Sequence, residues 1–141
     1  MTQELANKTL MLSVIAAFAD GNLEPLFAAL SPEVVWKATA PREFFRFGGT
    51  HHGFAGVREY SALLFSRYHF TRLNPRAITA QGERVWSLFE TEVLHQPSGR
   101  YVQFDLFIGW TVKDGKVVAH QCVFDTASVL MQQGELVEKA A

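Results

Sequence analysis

Apolar residues recur every three or four positions through the first half of the chain, which is the period of a helix that buries one face. One stripe runs over residues 10–18 and a second over residues 23–30, and Asn22 between them is suited to cap the second helix. A third stripe over residues 57–68 consists of Val57, Tyr60, Leu64 and Tyr68. The pattern therefore predicts three N-terminal helices.

From residue 70 the apolar period shortens to two, as in strands that bury one face. The pattern predicts four strands, over residues 70–80, 83–95, 100–113 and 116–124. A short edge strand is predicted over residues 34–39, and Asp125 is suited to cap a last helix that Gly134 ends. Helices followed by a strand meander predict an α+β fold, with the helices over one face of a curved antiparallel sheet.

Residues 37–53 form a predicted loop that is unusually rich in phenylalanine. Loops normally lie in water, so this segment is expected either to fold back on the core or to form the lip of a pocket. It also contains His51 and His52, but adjacent histidines seldom bind one ion together. We therefore predict neither a metal site nor a cofactor.

Two turns set the predicted pairing of the last three strands. Asp114-Gly115 is typical of a two-residue hairpin turn and pairs Lys113 with Lys116. A four-residue loop at 96–99 pairs His95 with Arg100. Counting from both turns places one set of side chains on a common face, which we call the mixed face: Trp86, Leu88, Glu90, Glu92, Gln103, Asp105, Phe107, His120, Cys122 and Phe124.

The two predicted faces differ in composition. The mixed face has apolar walls around a few converging polar groups, which is the composition of a ligand pocket. We therefore expect the helices to pack on it, with Trp36 and Tyr60 completing the pocket wall. The opposite face is nearly all apolar and predicts a homodimer interface; its members are Phe89, Phe104, Leu106, Ile108, Trp110 and Val123. A one-residue shift of the 96–99 register would exchange Glu90 and Glu92 between these faces.

Length, charge and cysteine content narrow the class. The chain has 141 residues, with 13 Lys and Arg against 14 Asp and Glu, so it has no basic excess for nucleic acid. Its single cysteine, Cys122, excludes an intrachain disulfide and a cysteine-rich zinc site. No stretch approaches the roughly 20 apolar residues of a membrane span, and no secretion signal is recognised. We expect one cytoplasmic domain over residues 1–141.

The order and spacing of four segments resemble the nuclear-transport-factor-2-like superfamily, and within it the SnoaL-like and ketosteroid-isomerase-like small-molecule proteins. The segments are AAFADGNLEPLFAALSPEVVW, HHGFAGVREY, GRYVQFDLFIGWTVKDGKVVAH and VFDTASVL. The resemblance implies a cone in which helices and a strongly bent sheet enclose a deep pocket, and it implies a homodimer. It does not imply one activity, because this fold carries isomerases, cyclases, epoxide hydrolases, dehydratases and plain binding domains.

Few of the catalytic residues of these relatives have a counterpart in this chain. Val14 and Trp36 stand near positions where the steroid isomerases carry a tyrosine and the catalytic base, and only Asp105 lies near their oxyanion-hole acid. The Arg and Asp pattern of the limonene epoxide hydrolases is also missing. The SnoaL-like cyclases use a His and an Asp, which His120 with Asp105 would imitate.

Three functions remain open on the sequence. The first is an acid–base enzyme acting on a hydrophobic compound. Glu90 and Asp105, about 5 Å apart across two strands, would share one proton inside an apolar pocket, and His120 would be the acid or a base. The second is a binding or sensor domain for a hydrophobic small molecule, and the third is a structural dimerisation module. If the mixed face is wet, both carboxylates are simply ionised; His120 is then a histidine satisfied by neighbours, and Cys122 is favoured as a small buried hydrophobe.

Overall fold

The computed structural model describes residues 2–137, which form four helices and one six-stranded sheet. The helices are α1 (Gln3–Ala19), α2 (Glu24–Ala29), α3 (Gly53–Phe65) and α4 (Thr126–Gln132). The strands are β1 (Leu30–Thr39), β2 (Gly49–His52), β3 (Tyr68–Gln81), β4 (Arg84–His95), β5 (Arg100–Lys113) and β6 (Lys116–Val123). Across the sheet the strands follow the order β2-β1-β6-β5-β4-β3.

The predicted α+β class is confirmed, with one change in the sheet. Neighbouring strands are antiparallel except β1 and β6, which run parallel, so the sheet is mixed rather than wholly antiparallel. β1 begins at Leu30, before the predicted edge strand, and Pro32 is tolerated because the β1–β6 register is irregular between Leu30 and Val35. Tyr68 opens β3 instead of extending the third helix.

The helices cover the apolar face of the sheet, which corrects the prediction that they pack on the mixed face. α1 packs against β3 and β4, and α3 packs against β1 and β2. Phe89, Leu106, Ile108 and Trp110 are therefore buried within the chain. Burying one such side chain contributes about 1.5–3 kcal/mol, so the apolar face gains most from a helical cover. The face predicted to form the homodimer interface is therefore covered by the chain's own helices and is not free to pair.

The register of β4 and β5 agrees with the prediction. His95 faces Arg100 across the four-residue loop, and Glu90 faces Asp105 further along. Glu90 and Asp105 project from the side of the sheet opposite the helices, which we call the open face, whereas His95 is buried on the other side. Trp86 of β4 also projects from the open face.

The register of β5 and β6 agrees with the prediction only next to the Asp114-Gly115 turn that joins them. Lys113 faces Lys116, and Asp114 has the positive φ of 50° that a primed hairpin turn requires. The register then shifts between Val112 and Thr111, which leaves Val118 as an extra residue on β6.

The β-bulge at Val118 moves two side chains to the face of the sheet that lies under the helices, which we call the covered face. His120 faces Trp110 rather than Gly109, and Cys122 faces Ile108 rather than Phe107. Both side chains are buried beneath the helices, whereas Val123, predicted on the apolar face, lies exposed on the open face opposite Phe107. The prediction that His120 and Cys122 share a face with Glu90 and Asp105 is therefore wrong.

α4 completes the edge of β5 beyond the end of β6. Asp125 caps this helix as predicted, since its Oδ1 accepts from the Ser128 backbone N–H at 3.0 Å. The Gln132 amide then accepts from the N–H of Gln103 and donates to its carbonyl oxygen, each at 2.8 Å. The Gln132 side chain thus makes the two backbone hydrogen bonds that a neighbouring strand would otherwise make with Gln103. Within residues 2–137, none of the helices has the length and apolar character needed to cross a membrane.

Candidate ligand-binding site

A row of three rings crosses three adjacent strands on the covered face. β1 pairs Trp36 with His120 of β6, and β6 pairs His120 with Trp110 of β5. Because directly paired residues share a face, the rings meet. His120 stacks flat on Trp36, with ring centroids 3.6 Å apart and planes 7° apart, and it meets Trp110 edge-on at 5.0 Å. We call these three residues the aromatic row.

Each ring of the aromatic row carries a buried nitrogen that has no hydrogen-bond partner among residues 2–137. These atoms are Trp36 Nε1, Trp110 Nε1 and His120 Nδ1. An unpaired buried polar group costs about 1–3 kcal/mol, so native proteins leave few of them. An indole N–H only donates. The Tyr60 hydroxyl lies near the Trp36 indole without a hydrogen bond of good geometry, so an acceptor oxygen from a bound molecule would relieve the cost chiefly at Trp110.

The titratable groups around the aromatic row are neutral at pH 7. Burial lowers the pKa of His120 from 6.5 to about 3, against a smaller opposing effect of nearby backbone groups. Burial raises the pKa of the Cys122 thiol to about 12 and raises that of Tyr60 well above its ordinary value. A thiol with such a pKa is not a nucleophile, and a histidine with such a pKa is a weak base. These groups suit neutral hydrogen bonding better than proton transfer.

Two small apolar cavities lie between the helices and the sheet. The row cavity has a volume of about 40 Å³ and is bordered by the aromatic row together with Phe18 and Leu26. The phenylalanine cavity, also about 40 Å³, is bordered by Phe45, Phe47, Phe104 and Phe124 among others. An apolar cavity that binds benzene has a volume of roughly 150 Å³, several times larger. A ligand larger than a few atoms must therefore displace side chains in this interior.

The Phe-rich loop folds back on the core, which was one of its two predicted placements. Phe45 and Phe47 are buried, while Phe44 is exposed. His51 fixes the loop by donating from Nε2 to the Phe47 carbonyl oxygen at 2.7 Å. In the described part of the chain, no group of three or more His, Cys, Asp or Glu side chains is arranged to hold a metal ion.

The predicted acid pair lies outside this interior. Glu90 and Asp105 do face each other, but on the open face, where the Glu90 carboxylate pairs with Arg76 at 3.0 Å and with Arg72 at 3.5 Å. The prediction that Glu90, Asp105 and His120 line one cavity is wrong, because the sheet separates His120 from the other two. Sharing a proton inside an apolar pocket also fails as an expectation, since two arginines and solvent surround Glu90.

The remaining predicted binding residues divide between the two sides of the sheet. Trp36, Tyr60 and Cys122 are buried on the covered side, and Phe124 borders the phenylalanine cavity. The open face holds the others: Trp86, Leu88, Glu92, Gln103 and Phe107. There the hydrogen bonds that Gln103 and Thr71 donate to the Glu92 carboxylate lower its pKa. Sequence reasoning missed Trp110, Phe45 and Phe47 as site residues; the phenylalanine density of the loop was the available signal for the last two.

Comparison with known proteins agrees with this architecture. The family model described as SnoaL-like domain matches residues 12–120. An NTF2-like protein of unknown function from Burkholderia pseudomallei K96243 is similar, with 26% identity and a TM-score of 0.83 over 94% of this chain and 98% of that chain. TerC, crystallised with polyporic acid, is also similar, with 28% identity and a TM-score of 0.79 over 92% of this chain and 98% of that chain.

A third structure shows the fold alone. It is a protein with a ketosteroid isomerase-like fold from Catenulispora acidiphila DSM 44928 in complex with trimethylamine, with 13% identity and a TM-score of 0.76 over 89% of this chain and 92% of that chain. No curated protein sequence matches the chain. Together these findings confirm the resemblance predicted from the sequence and the cone fold that it implies.

Proposed function

Because this chain belongs to the SnoaL-like domain family, we propose that it binds a hydrophobic small molecule between its helices and its sheet, with an acceptor oxygen of that molecule against the aromatic row. The observation that carries the proposal is that the three rings with unpartnered nitrogens border one apolar cavity. Apolar walls with a few convergent polar groups are the usual composition of a small-molecule site.

The charge states around the row favour capture of the ligand over acid–base catalysis. His120, Cys122 and Tyr60 are all held neutral by burial. A general acid or base works best with a pKa near the working pH, and none of these three groups meets that condition. The proposed site therefore recognises its ligand through hydrogen bonds and apolar contact.

The three tryptophans give the proposal an internal control. Trp36 and Trp110 are buried in the row, whereas Trp86 is 52% exposed on the open face. In a ¹⁵N-labelled sample the three indole N–H signals are observed separately and are assigned with the Trp→Phe variants. Polyporic acid, with which the related TerC was crystallised, and acetophenone are the first two probes. We expect each probe to shift the signals of Trp36 and Trp110 and to leave that of Trp86 in place.

A pair of matched variants measures the hydrogen bond itself. Trp110→Phe removes one donor from the row, and we expect it to weaken acetophenone binding roughly 2- to 10-fold, the worth of one neutral hydrogen bond. Trp86→Phe makes the same chemical change on the open face and should have no effect. A shift confined to the Trp86 signal, or equal losses in the two variants, would contradict the proposed site. Conversion of a probe to a product, followed by mass spectrometry, would overturn capture without catalysis.

We further propose that a second copy of the chain covers the open face. Trp86 and Phe107 are 52% and 50% exposed there, beside exposed Val35 and Val123. Large exposed apolar patches commonly mark interfaces, and a two-fold axis would pair this patch with itself. Sedimentation of Phe107→Glu tests the idea against Phe44→Glu, which alters a phenylalanine 55% exposed on the loop. We expect only Phe107→Glu to produce monomers; a monomeric wild type at micromolar concentration would refute the proposal.

A further inference from the structure

Two side chains separate the row cavity from the phenylalanine cavity. Phe70 of β3 and Leu106 of β5 border both cavities, so the space between helices and sheet is one interior divided by these two residues. Each compartment alone is too small for an aromatic ring. Displacement of Phe70 and Leu106 would join them into one elongated pocket.

The two compartments differ in what they offer a ligand. The row cavity is bordered by the three rings that carry the unpartnered nitrogens. The phenylalanine cavity has an apolar wall, and its one nearby hydroxyl, that of Tyr68, already donates to Gln133 Oε1 at 2.8 Å. One end of the interior is therefore suited to an oxygen atom, and the other end only to hydrocarbon.

We propose that the phenylalanine cavity is a subsite for the hydrocarbon tail of the ligand, and that the ligand is an elongated molecule with its oxygen-bearing head at the aromatic row. This inference rests on the proposed function, since it assigns the head to the same row. The tail passes between Phe70 and Leu106, which determine the length of ligand that is accepted.

The physical reason for a tail subsite is the small void in an apolar wall. Such a cavity stays dry, and its lining atoms lack contacts on one side until a ligand supplies them. Each methylene buried there raises affinity by up to about fourfold. A ligand with a tail should therefore bind much more tightly than its head alone.

Acetophenone and hexanophenone test this proposal, because they share the aryl ketone head and differ by a four-methylene extension of the tail. Dissociation constants are measured by titration, with the indole signals of Trp36 and Trp110 as the readout. We expect hexanophenone to bind at least about tenfold more tightly than acetophenone to the wild type, since side-chain displacement takes part of the gain.

Neighbouring residues of α4 provide the variant and its matched control. Val129 borders the phenylalanine cavity, while Leu130 is equally buried and borders neither cavity. Val129→Phe should fill the subsite and abolish the preference for hexanophenone over acetophenone. Leu130→Phe should keep the preference. If the spectrum of Val129→Phe shows an unfolded protein, Val93→Leu fills the same cavity from β4.

The outcomes separate the two proposals. Equal affinity of the wild type for both ketones, with the row signals shifted, would overturn the tail subsite and leave the proposed function standing. Absence of row shifts with either ketone and with polyporic acid would overturn both. A preference for hexanophenone that survives in folded Val129→Phe and Val93→Leu would show that the tail lies elsewhere, and would also overturn the subsite.

Discussion

The His120 imidazole links the stability of the fold to pH, because it is buried in a neutral state between two tryptophans. The substitution His120→Phe keeps an aromatic ring in this position but removes the titrating group. We expect the wild type to lose stability as the pH falls below 6.5, and we expect the variant to lose less. The difference between the two proteins isolates the proton that the unfolded imidazole takes up.

The expected magnitude follows from the pKa of His120, which burial lowers from 6.5 to about 3. Between these values the unfolded chain binds a proton at this position and the folded chain does not, so protonation favours unfolding. The free energy of unfolding then falls by about 1.4 kcal/mol for each pH unit. From pH 6.5 to 4.5 the contribution of His120 amounts to roughly 2–3 kcal/mol. It vanishes above pH 6.5 and stops growing below pH 3, where the folded imidazole also takes up the proton.

Urea unfolding at pH 7.5, 6.5, 5.5 and 4.5 measures both proteins. They contain the same carboxylates and the same other histidines, so shared acid effects cancel in the difference between the two curves. Stability curves that stay parallel from pH 6.5 to 4.5 would refute the neutral buried state of His120. The absolute stability of the variant does not enter this comparison, because only the slope with pH is tested.

Three further changes test individual contacts by urea unfolding at pH 7.5. Tyr68→Phe removes the hydroxyl that donates to Gln133 Oε1 at 2.8 Å and leaves a buried amide oxygen unpaired, so we expect a loss of about 1–3 kcal/mol; no loss would show that water replaces the hydroxyl. Asp125→Ala removes the N-cap of α4 and should cost about 0.5–2 kcal/mol, whereas Asp125→Asn should cost less. Arg76→Ala breaks an exposed ion pair with Glu90 and should cost no more than about 1 kcal/mol; a larger loss would mean that this pair is shielded from solvent.

Local sequence signals were sufficient for most of the fold. The change of apolar period near residue 70 separates helices from strands, and the four-residue loop at 96–99 sets the β4–β5 register through local turn chemistry. Two features of the sheet could not be predicted from local patterns. β2 is only four residues long, and the parallel pairing of β1 with β6 joins segments about 80 residues apart, which no local pattern records.

The alternation of apolar and polar residues also could not decide which face of the sheet the helices cover. A face that combines Trp86 and Phe107 with Glu90 and Asp105 has the composition of a pocket wall, and it also has the composition of a half-exposed surface. Helix packing decides between them, because helices lie where they bury most apolar area. The helices bury more apolar area on the uniformly apolar face, whereas the prediction placed them on the mixed face.

A single residue then determines the chemistry of the interior. Without the bulge at Val118, alternation would place His120 and Cys122 on the open face. The extra residue restores both to the covered side, where parallel pairing with β1 brings His120 against Trp36 and antiparallel pairing with β5 brings it against Trp110. The polar group of the proposed site therefore arises from an irregularity in one strand, while the rest of the sheet keeps its regular pairing. Bulges often re-aim side chains next to functional sites, and here the re-aimed side chain is the only histidine of the aromatic row.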